Sequence, residues 1–324
     1  MLRALCALSL VAALAACAPA EAPAEPSAAA PTTTPPPPDP AGIAANELGF
    51  VPVLMYHQIT AYPAGEYDQT PAEFRDELER LYREGYRPVT AAQYIAGELD
   101  LPAGTHPVVL TFDDSTGSQL AFTGTGAVAP DSAAGILAEF AARYPDFGPV
   151  ATFYVNNEPF GDDPRALPWL TAHGHEIGAH TADHANLSSL DADNVQRQLV
   201  QNVRAVTATG ATVRTMALPL GIYPRDHALA TTGSWDGTSY AFGAVMLVGS
   251  NPAPAPYGAI DPGGVPRIRS GRGTVPFDSA YWLDWLAEHP EQRYTADGDP
   301  TRISFPRALT AELGARWADR ANPY

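Results

Sequence analysis

Asp113 and Asp114 stand side by side directly after the apolar run 108–112, and His180 and His184 lie four residues apart in the segment His-Thr-Ala-Asp-His. Two histidines at that spacing share one face of a helical turn and can hold one ion between them. Carboxylates at the same end of the neighbouring strand add to the case for a bound metal. Taken singly, each segment has a plainer reading: an Asp pair after a strand is a common helix cap, and a His pair is a common surface feature. Position raises them above that, because both follow short strand-like runs and so fall at the same end of neighbouring strands. His57 follows another such run, at 51–56, and either faces the same end or is buried against backbone. His173 and His175 flank a glycine and read as surface, and His106 reads as loop. Trp282 and Trp285 with Tyr281 form a helical stripe that reads as core. Trp169 and Trp235 lie nearer loops.

The elements that must position these side chains alternate between strand and helix. Apolar runs at 51–56, 108–112, 150–155, 176–179, 213–218, 244–248 and 265–268 read as strands. Phe74, Leu78, Leu81 and Tyr82 mark a helix opened by Thr70 as cap and Pro71 in the first turn. Residues 131–144 read helical, and Val195, Leu199, Val203 and Val206 form one face of a long helix. This order predicts an α/β fold with a parallel sheet, a distorted (β/α) barrel ahead of an open doubly wound sheet. Barrel active sites are built at the C-terminal ends of the strands, where the Asp and His segments fall.

Composition narrows the chemistry. Of 324 residues 36 are acidic and 19 basic, a formal net charge of −17. Binding through phosphates requires clustered cations, so a nucleic-acid partner is not expected. Every basic residue is Arg, which rules out a Schiff-base lysine and a P-loop lysine. Residues 1–16 carry one early Arg and then an apolar stretch too short to span a bilayer, as in a secretory signal peptide. Its end, Leu14-Ala15-Ala16-Cys17, resembles a bacterial lipoprotein box, which implies a lipidated Cys17 at the mature N-terminus. Cys6 then leaves with the signal, and no disulfide is expected. Residues 17–47, rich in Ala and Pro with prolines at 35–38, read as an extended tether. One domain, 48–324, remains, expected to be exported and held at the cell envelope by lipid.

Four motifs, in order, make a specific likeness: Val53-Leu54-Met55-Tyr56-His57, Leu110-Thr111-Phe112-Asp113-Asp114, Ala151-Thr152-Phe153-Tyr154-Val155, and the segment from His175 to His184. Over about residues 50–190, and partially to 225, the chain resembles the polysaccharide deacetylase family of carbohydrate esterases. The resemblance implies a distorted (β/α) barrel that hydrolyses acetyl groups of amino sugars, or of xylose, with one divalent metal, zinc or another such as cobalt. It implies Asp114, His180 and His184 as ligands and Asp113 as catalytic base. Two imidazoles and one carboxylate leave positions on zinc where water binds with its pKa lowered towards about 7. The same likeness places substrate contacts on Pro219, Leu220 and Gly221, with the Leu220 amide as oxyanion donor. The expected substrate is an acetylated polysaccharide or oligosaccharide of the cell envelope or its surroundings. The alternatives are an O-acetyl esterase of the xylan type and a sugar-binding protein without turnover.

Two positions depart from that family pattern. The motif Arg-x-Pro-x-Gly carries Ala217 where its Arg belongs. A buried Asp beside a metal-bound carboxylate needs a cationic partner to stay ionised. Arg267 or Arg269, two residues apart on one face of a predicted strand, is expected to supply it ahead of Arg214. The Leu-x-His motif that provides the leaving-group acid has no clean copy, and His289 and His227 are the candidates for that role.

Overall fold

The computed structural model describes residues 38–249 and 251–324. The expected signal peptide, Cys17 and the tether up to residue 37 lie outside the described residues. The chain runs β1 (Val53–Tyr56), α1 (Pro71–Arg83), β2 (Tyr86–Val89), α2 (Ala91–Ala96), β3 (His106–Phe112), α3 (Ala133–Arg143), β4 (Thr152–Val155), α4 (Ala166–Ala172), β5 (Glu176–Ala179), α5 (Ala192–Thr207) and β6 (Thr215–Ala217). A hairpin of β7 (Thr232–Trp235) and β8 (Thr238–Ala241) precedes β9 (Ala244–Met246), β10 (Ile268–Arg269), α6 (Ser279–Glu288), β11 (Ile303–Phe305) and β12 (Ala321–Pro323).

The helix signals in the sequence act as expected. Thr70 accepts from the Glu73 N–H while the Glu73 carboxylate accepts from the Thr70 N–H, a reciprocal cap ahead of Pro71. The same device, with Thr90 and Gln93, starts the short α2. Neither β2 nor α2 is evident from periodicity. The β2 run contains Arg87 and Pro88 and becomes a strand by pairing with the lower half of β3.

The main sheet is parallel and curls in the order β10-β1-β3-β4-β5-β6-β9, with β2 beside β3. Side chains alternate across it, as a pleated strand requires. Leu54, Tyr56, Leu110, Phe112 and Phe153 pack outward under the helices, whereas Val53, Val109, Tyr154, Ala217 and Met246 fill the interior. Gly178 is needed there, because a Cβ at that position would lie 2.4 Å from the Tyr154 ring.

The sheet closes at a seam. The expected strand 265–268 is instead two pieces: Val265 makes a single parallel bridge to Met246, and Ile268 and Arg269 pair with Leu54 and Met55 of β1. Pro266 and Arg267 lie between them, outside either ladder. Pro lacks the N–H a ladder needs, so the seam interrupts the strand and sends Arg267 inward.

The packed fold also begins earlier than residue 48. Ala45, Asn46 and Glu47 are buried, Asn46 bridges Thr295, and Glu47 accepts from the Ser304 N–H at 2.6 Å. The C-terminal segment supplies partners for them that composition could not reveal. No helix among the described residues is long and apolar enough to cross a membrane.

Candidate active site

Three loops meet at the C-terminal ends of the strands. The first follows β3 and carries Asp113 and Asp114, the second follows β5 and carries His180 and His184, and the third follows β6 and carries Pro219, Leu220 and Gly221. Among the described residues ten non-glycine positions have positive φ, and Asp114, Ser115, Thr181, His184 and Leu220 are five of them. Strain of that kind persists only where surrounding contacts over-determine the backbone, so its concentration here marks a built site.

Asp114 Oδ1 lies 3.3 Å from His180 Nε2 and 3.3 Å from His184 Nε2. The three donor atoms fall within 4.8 Å of one another, and among the described residues this is the one such cluster. The histidines do not share a helical face, as their spacing suggested. The segment is an irregular loop, and left-handed backbone at Thr181 and His184 turns the second ring back towards the first.

Buried amides replace the missing regular hydrogen bonds. Asn202 Oδ1 accepts from the His180 N–H at 3.1 Å, and the Asn156 amide donates to the carbonyls of His180 and Thr181 at 2.6 and 2.9 Å. Gln198 accepts from the Asp183 N–H at 3.0 Å and donates to the Asp183 carboxylate at 2.7 Å. Sequence reasoning missed these residues, although a signal existed. Gln198 and Asn202 stand four apart on the apolar face of α5 that Val195, Leu199 and Val206 define.

The donor set fits a cation. His180 Nδ1 lies 2.8 Å from the Ala217 carbonyl, which fixes the proton there and leaves a lone pair on Nε2. That lone pair faces the Asp114 carboxylate, whose Oδ1 is buried without a hydrogen-bond partner. Two acceptors so placed repel unless a cation or a proton lies between them. Burial and the neighbouring His180 lower the pKa of His184, favouring the neutral ring that metal binding requires.

Asp113 occupies a different environment, although it is the adjacent residue. Its side chain is 2% exposed and pairs with the fully buried Arg267 through two parallel hydrogen bonds of 2.7 and 2.6 Å. Arg267 also donates to Thr111 Oγ1 at 3.1 Å and to the Leu247 carbonyl at 2.8 Å. Burial by itself would raise the Asp113 carboxyl, but the Arg267 guanidinium holds it well below the usual carboxylate range.

Of the two arginines expected for this role, Arg269 is excluded. It shares the inward face but sits one pleat repeat higher, where it pairs with Glu66 at 2.8 Å and donates to the Pro276 carbonyl. Ala217, in the position of the family's Arg, contributes its carbonyl to His180.

The remaining candidates separate cleanly. The Leu220 N–H donates to no group among the described residues, and its φ of +61° turns the peptide out of the ladder, so it is available to an oxyanion. His57 follows β1 at the mouth, its ring tilted against Tyr67 with centroids 4.9 Å apart, and its Nδ1 is buried and unpartnered. It lies within electrostatic reach of Asp113, Asp114 and His184. Gln119 ties this corner together, donating to the carbonyls of His57 and Asp113.

His289 ends α6, which leads away from the mouth, and its Nδ1 meets the Trp285 carbonyl. His227 is exposed and stacked on Tyr223. Neither is brought to the carboxylates. His175, expected at the surface, is buried and accepts from the Ala151 N–H, and His106 opens β3 in the core. Trp169 stacks on His173, and Trp235 lies under Arg204.

Residues 101–233 match a family model described as polysaccharide deacetylase. A chitooligosaccharide deacetylase of Sinorhizobium fredii is 33% identical over 125 residues, 38% of this chain and 51% of that protein. A chitin deacetylase of Pestalotiopsis sp is 35% identical over 89 residues, 26% of this chain and 30% of that one. The chain thus spans about half, or less, of the length of the curated relatives it matches. The fold is shared with a polysaccharide deacetylase described as putative from Bacillus anthracis, with TM-score 0.55 and 20% identity over 71% of this chain and 67% of that chain. It is shared also with a Streptococcus pyogenes deacetylase solved with acetate, with TM-score 0.54 and 18% identity over 72% of this chain and 98% of that one. These matches make the central segment similar to the polysaccharide deacetylases, and over 71–72% of the chain the fold is the distorted (β/α) barrel of those structures.

Proposed function

We propose that this chain is a metal-dependent deacetylase that removes N-acetyl groups from amino sugars of a cell-envelope or extracellular polysaccharide. One observation carries the reading: a fully buried Arg267–Asp113 pair stands directly beside the Asp114, His180 and His184 cluster. Zinc, or another divalent ion such as cobalt, held by those three residues would lower the pKa of a bound water and polarise an acetyl carbonyl.

Asp113, kept ionised by Arg267, takes the proton that the attacking water gives up, using the lone pairs not committed to the guanidinium. The free Leu220 N–H stabilises the negative charge that develops on the acetyl oxygen. As the carbon–oxygen bond forms and the carbon–nitrogen bond breaks, His57 delivers a proton to the departing amine, the part that neither His289 nor His227 is placed to play. The missing Arg and His of the family motifs would favour a sugar-binding protein without turnover, but Arg267 and His57 fill those roles from elsewhere in the chain. The names of the chitooligosaccharide and chitin deacetylases support an N-acetyl substrate. The lipoprotein-like Cys17 supports attachment to a membrane at the cell envelope.

The test is acetate release from chitooligosaccharides and glycol chitin by zinc- or cobalt-loaded protein. No release from these, from peptidoglycan or from acetylated xylan would overturn the reading; release from xylan alone would make it an O-acetyl esterase. His57→Gln should lower turnover by about 10²–10⁴-fold while metal stays bound. Wild-type turnover in that variant would remove His57 from the mechanism.

A further inference from the structure

Six large hydrophobic side chains stand exposed among the described residues, and their distribution is not random. Tyr62 follows β1, Leu220 and Ile222 follow β6, Val248 follows β9, Phe277 follows β10, and Tyr281 lies in the first turn of α6. Each belongs to a segment that leaves the C-terminal end of a barrel strand, the end at which Asp113 also lies. Scattered exposed apolar residues call for no explanation, whereas a collection confined to one rim does.

The aromatic part of this rim is held rigidly. Phe277 is 49% exposed at φ +60°, a conformation that a bulky residue adopts only under constraint. The constraint comes from Asp278, fully buried beneath it, which accepts from the N–H groups of Gly273 at 2.8 Å and Tyr281 at 3.0 Å. Ser279 Oγ adds a hydrogen bond from the Gly271 N–H at 2.9 Å. The Phe277 ring meets Tyr281 edge-on at 5.1 Å, and Tyr281 itself is 42% exposed.

The loop is also fixed relative to the site. Arg269 donates to the Pro276 carbonyl at 3.2 Å, pairs with Glu66 at 2.8 Å, and covers Tyr67, the ring that His57 touches. An unbroken series of contacts thus leads from His57 to Phe277.

We propose that the Phe277 ring, braced edge-on by Tyr281, forms a stacking platform for a pyranose ring of the substrate chain beyond the one being deacetylated, so that the site takes a polymer in preference to a short oligosaccharide. This rests on the deacetylase reading. Pyranose rings present C–H faces that pack on aromatic rings while their hydroxyls remain in water, and a preorganised platform loses little entropy on binding. Charge favours this occupant over an anionic lipid surface. A protein of net charge −17 repels anionic headgroups but tolerates a neutral glycan and attracts one that already carries free amines.

The experiment compares wild type, Phe277→Ala, Tyr281→Ala and the double variant, with Phe277→Tyr and Tyr281→Phe retaining the rings. Electrophoretic retardation in gels containing glycol chitin or acetylated xylan reads binding, and acetate release from glycol chitin and from di-N-acetylchitobiose reads turnover. The double variant is expected to bind the polymer about threefold to tenfold more weakly and to lose kcat/KM on it by a similar factor. Activity on chitobiose should be unchanged, and the ring-retaining variants should behave as wild type. A double variant with unaltered Tm that binds and turns over polymer normally overturns the platform. So does an equal loss on chitobiose, a wild type retarded by neither polymer, or a wild-type dimer that the double variant abolishes. Retardation that depends on Phe277 and Tyr281 but without acetate release supports the platform and refutes the deacetylase reading. Acetate release without such retardation does the reverse.

Discussion

Replacing Arg267 by Met removes a cation that has no access to water. The guanidinium is 0% exposed and its carboxylate partner 2%. Its loss leaves Asp113 charged and buried, and leaves the Leu247 carbonyl and Thr111 Oγ1 without their donor. Breaking one side of a buried ion pair costs about 3–5 kcal/mol, a large part of a total stability of roughly 5–15 kcal/mol. At about 2 °C per kcal/mol for a domain of this size, Tm should fall by roughly 6–10 °C.

Adding Asp113→Asn removes the stranded charge, so the double variant should be more stable than the two single effects added together, by on the order of 1–3 kcal/mol. The pH dependence supplies a second check. In wild type the Asp113 carboxyl is depressed, so its contribution is complete above the unfolded value near 4 and is lost only as pH falls through a still lower folded value. In Arg267→Met, burial without the cation raises the carboxyl, and acidification from pH 7 to 5 should stabilise the variant relative to wild type. Urea unfolding of the four proteins across that range measures all of this. An Arg267→Met variant within about 1 kcal/mol of wild type, or strict additivity with Asp113→Asn, would refute the pairing argument.

Three further outcomes follow from the same geometry. A His180→Ala, His184→Ala double variant should retain no zinc after dialysis, and Asn202→Leu should weaken zinc binding by about 10–100-fold, with Asn202→Asp intermediate because it keeps an acceptor for the His180 N–H; full occupancy in the first, or unchanged affinity in the second, counts against the site. Burial, with Asp297 nearby, pushes Glu47 up to about 8, so its contribution to stability is complete below the unfolded value near 4.3 and is lost as pH rises through 8. Wild type should therefore lose stability relative to Glu47→Gln by up to about 1.4 kcal/mol per pH unit across that interval, and parallel stability curves would contradict the burial argument. Cys17→Ser should shift the protein out of the membrane fraction or block its processing, and mass spectrometry finding an unmodified Cys17 on native protein would exclude the anchor.

The sequence by itself determined the features that depend on neighbours along the chain. Thr70 and Pro71 start a helix because a cap needs a side-chain acceptor within three residues. The apolar runs become strands because a buried parallel sheet wants both faces apolar, and the chemistry of Asp113, Asp114, His180 and His184 is a property of residue type. Tertiary structure decided whatever depends on closure. Arg267 and Arg269 are equivalent by periodicity, and the choice between them rests on the seam that directs one inward to a carboxylate 154 residues earlier. Spacing suggested a helical turn for the two histidines, yet their convergence comes from left-handed loop backbone that buried amides on another element hold in place. His57 acquires its position from a strand whose neighbours, β3 and β10, arrive later in the chain. Patterns in sequence record short-range periodicity and local hydrogen bonding; distances across a barrel are fixed only when its sheet closes, and the pairing of Asp113 with Arg267 is assembled across that closure.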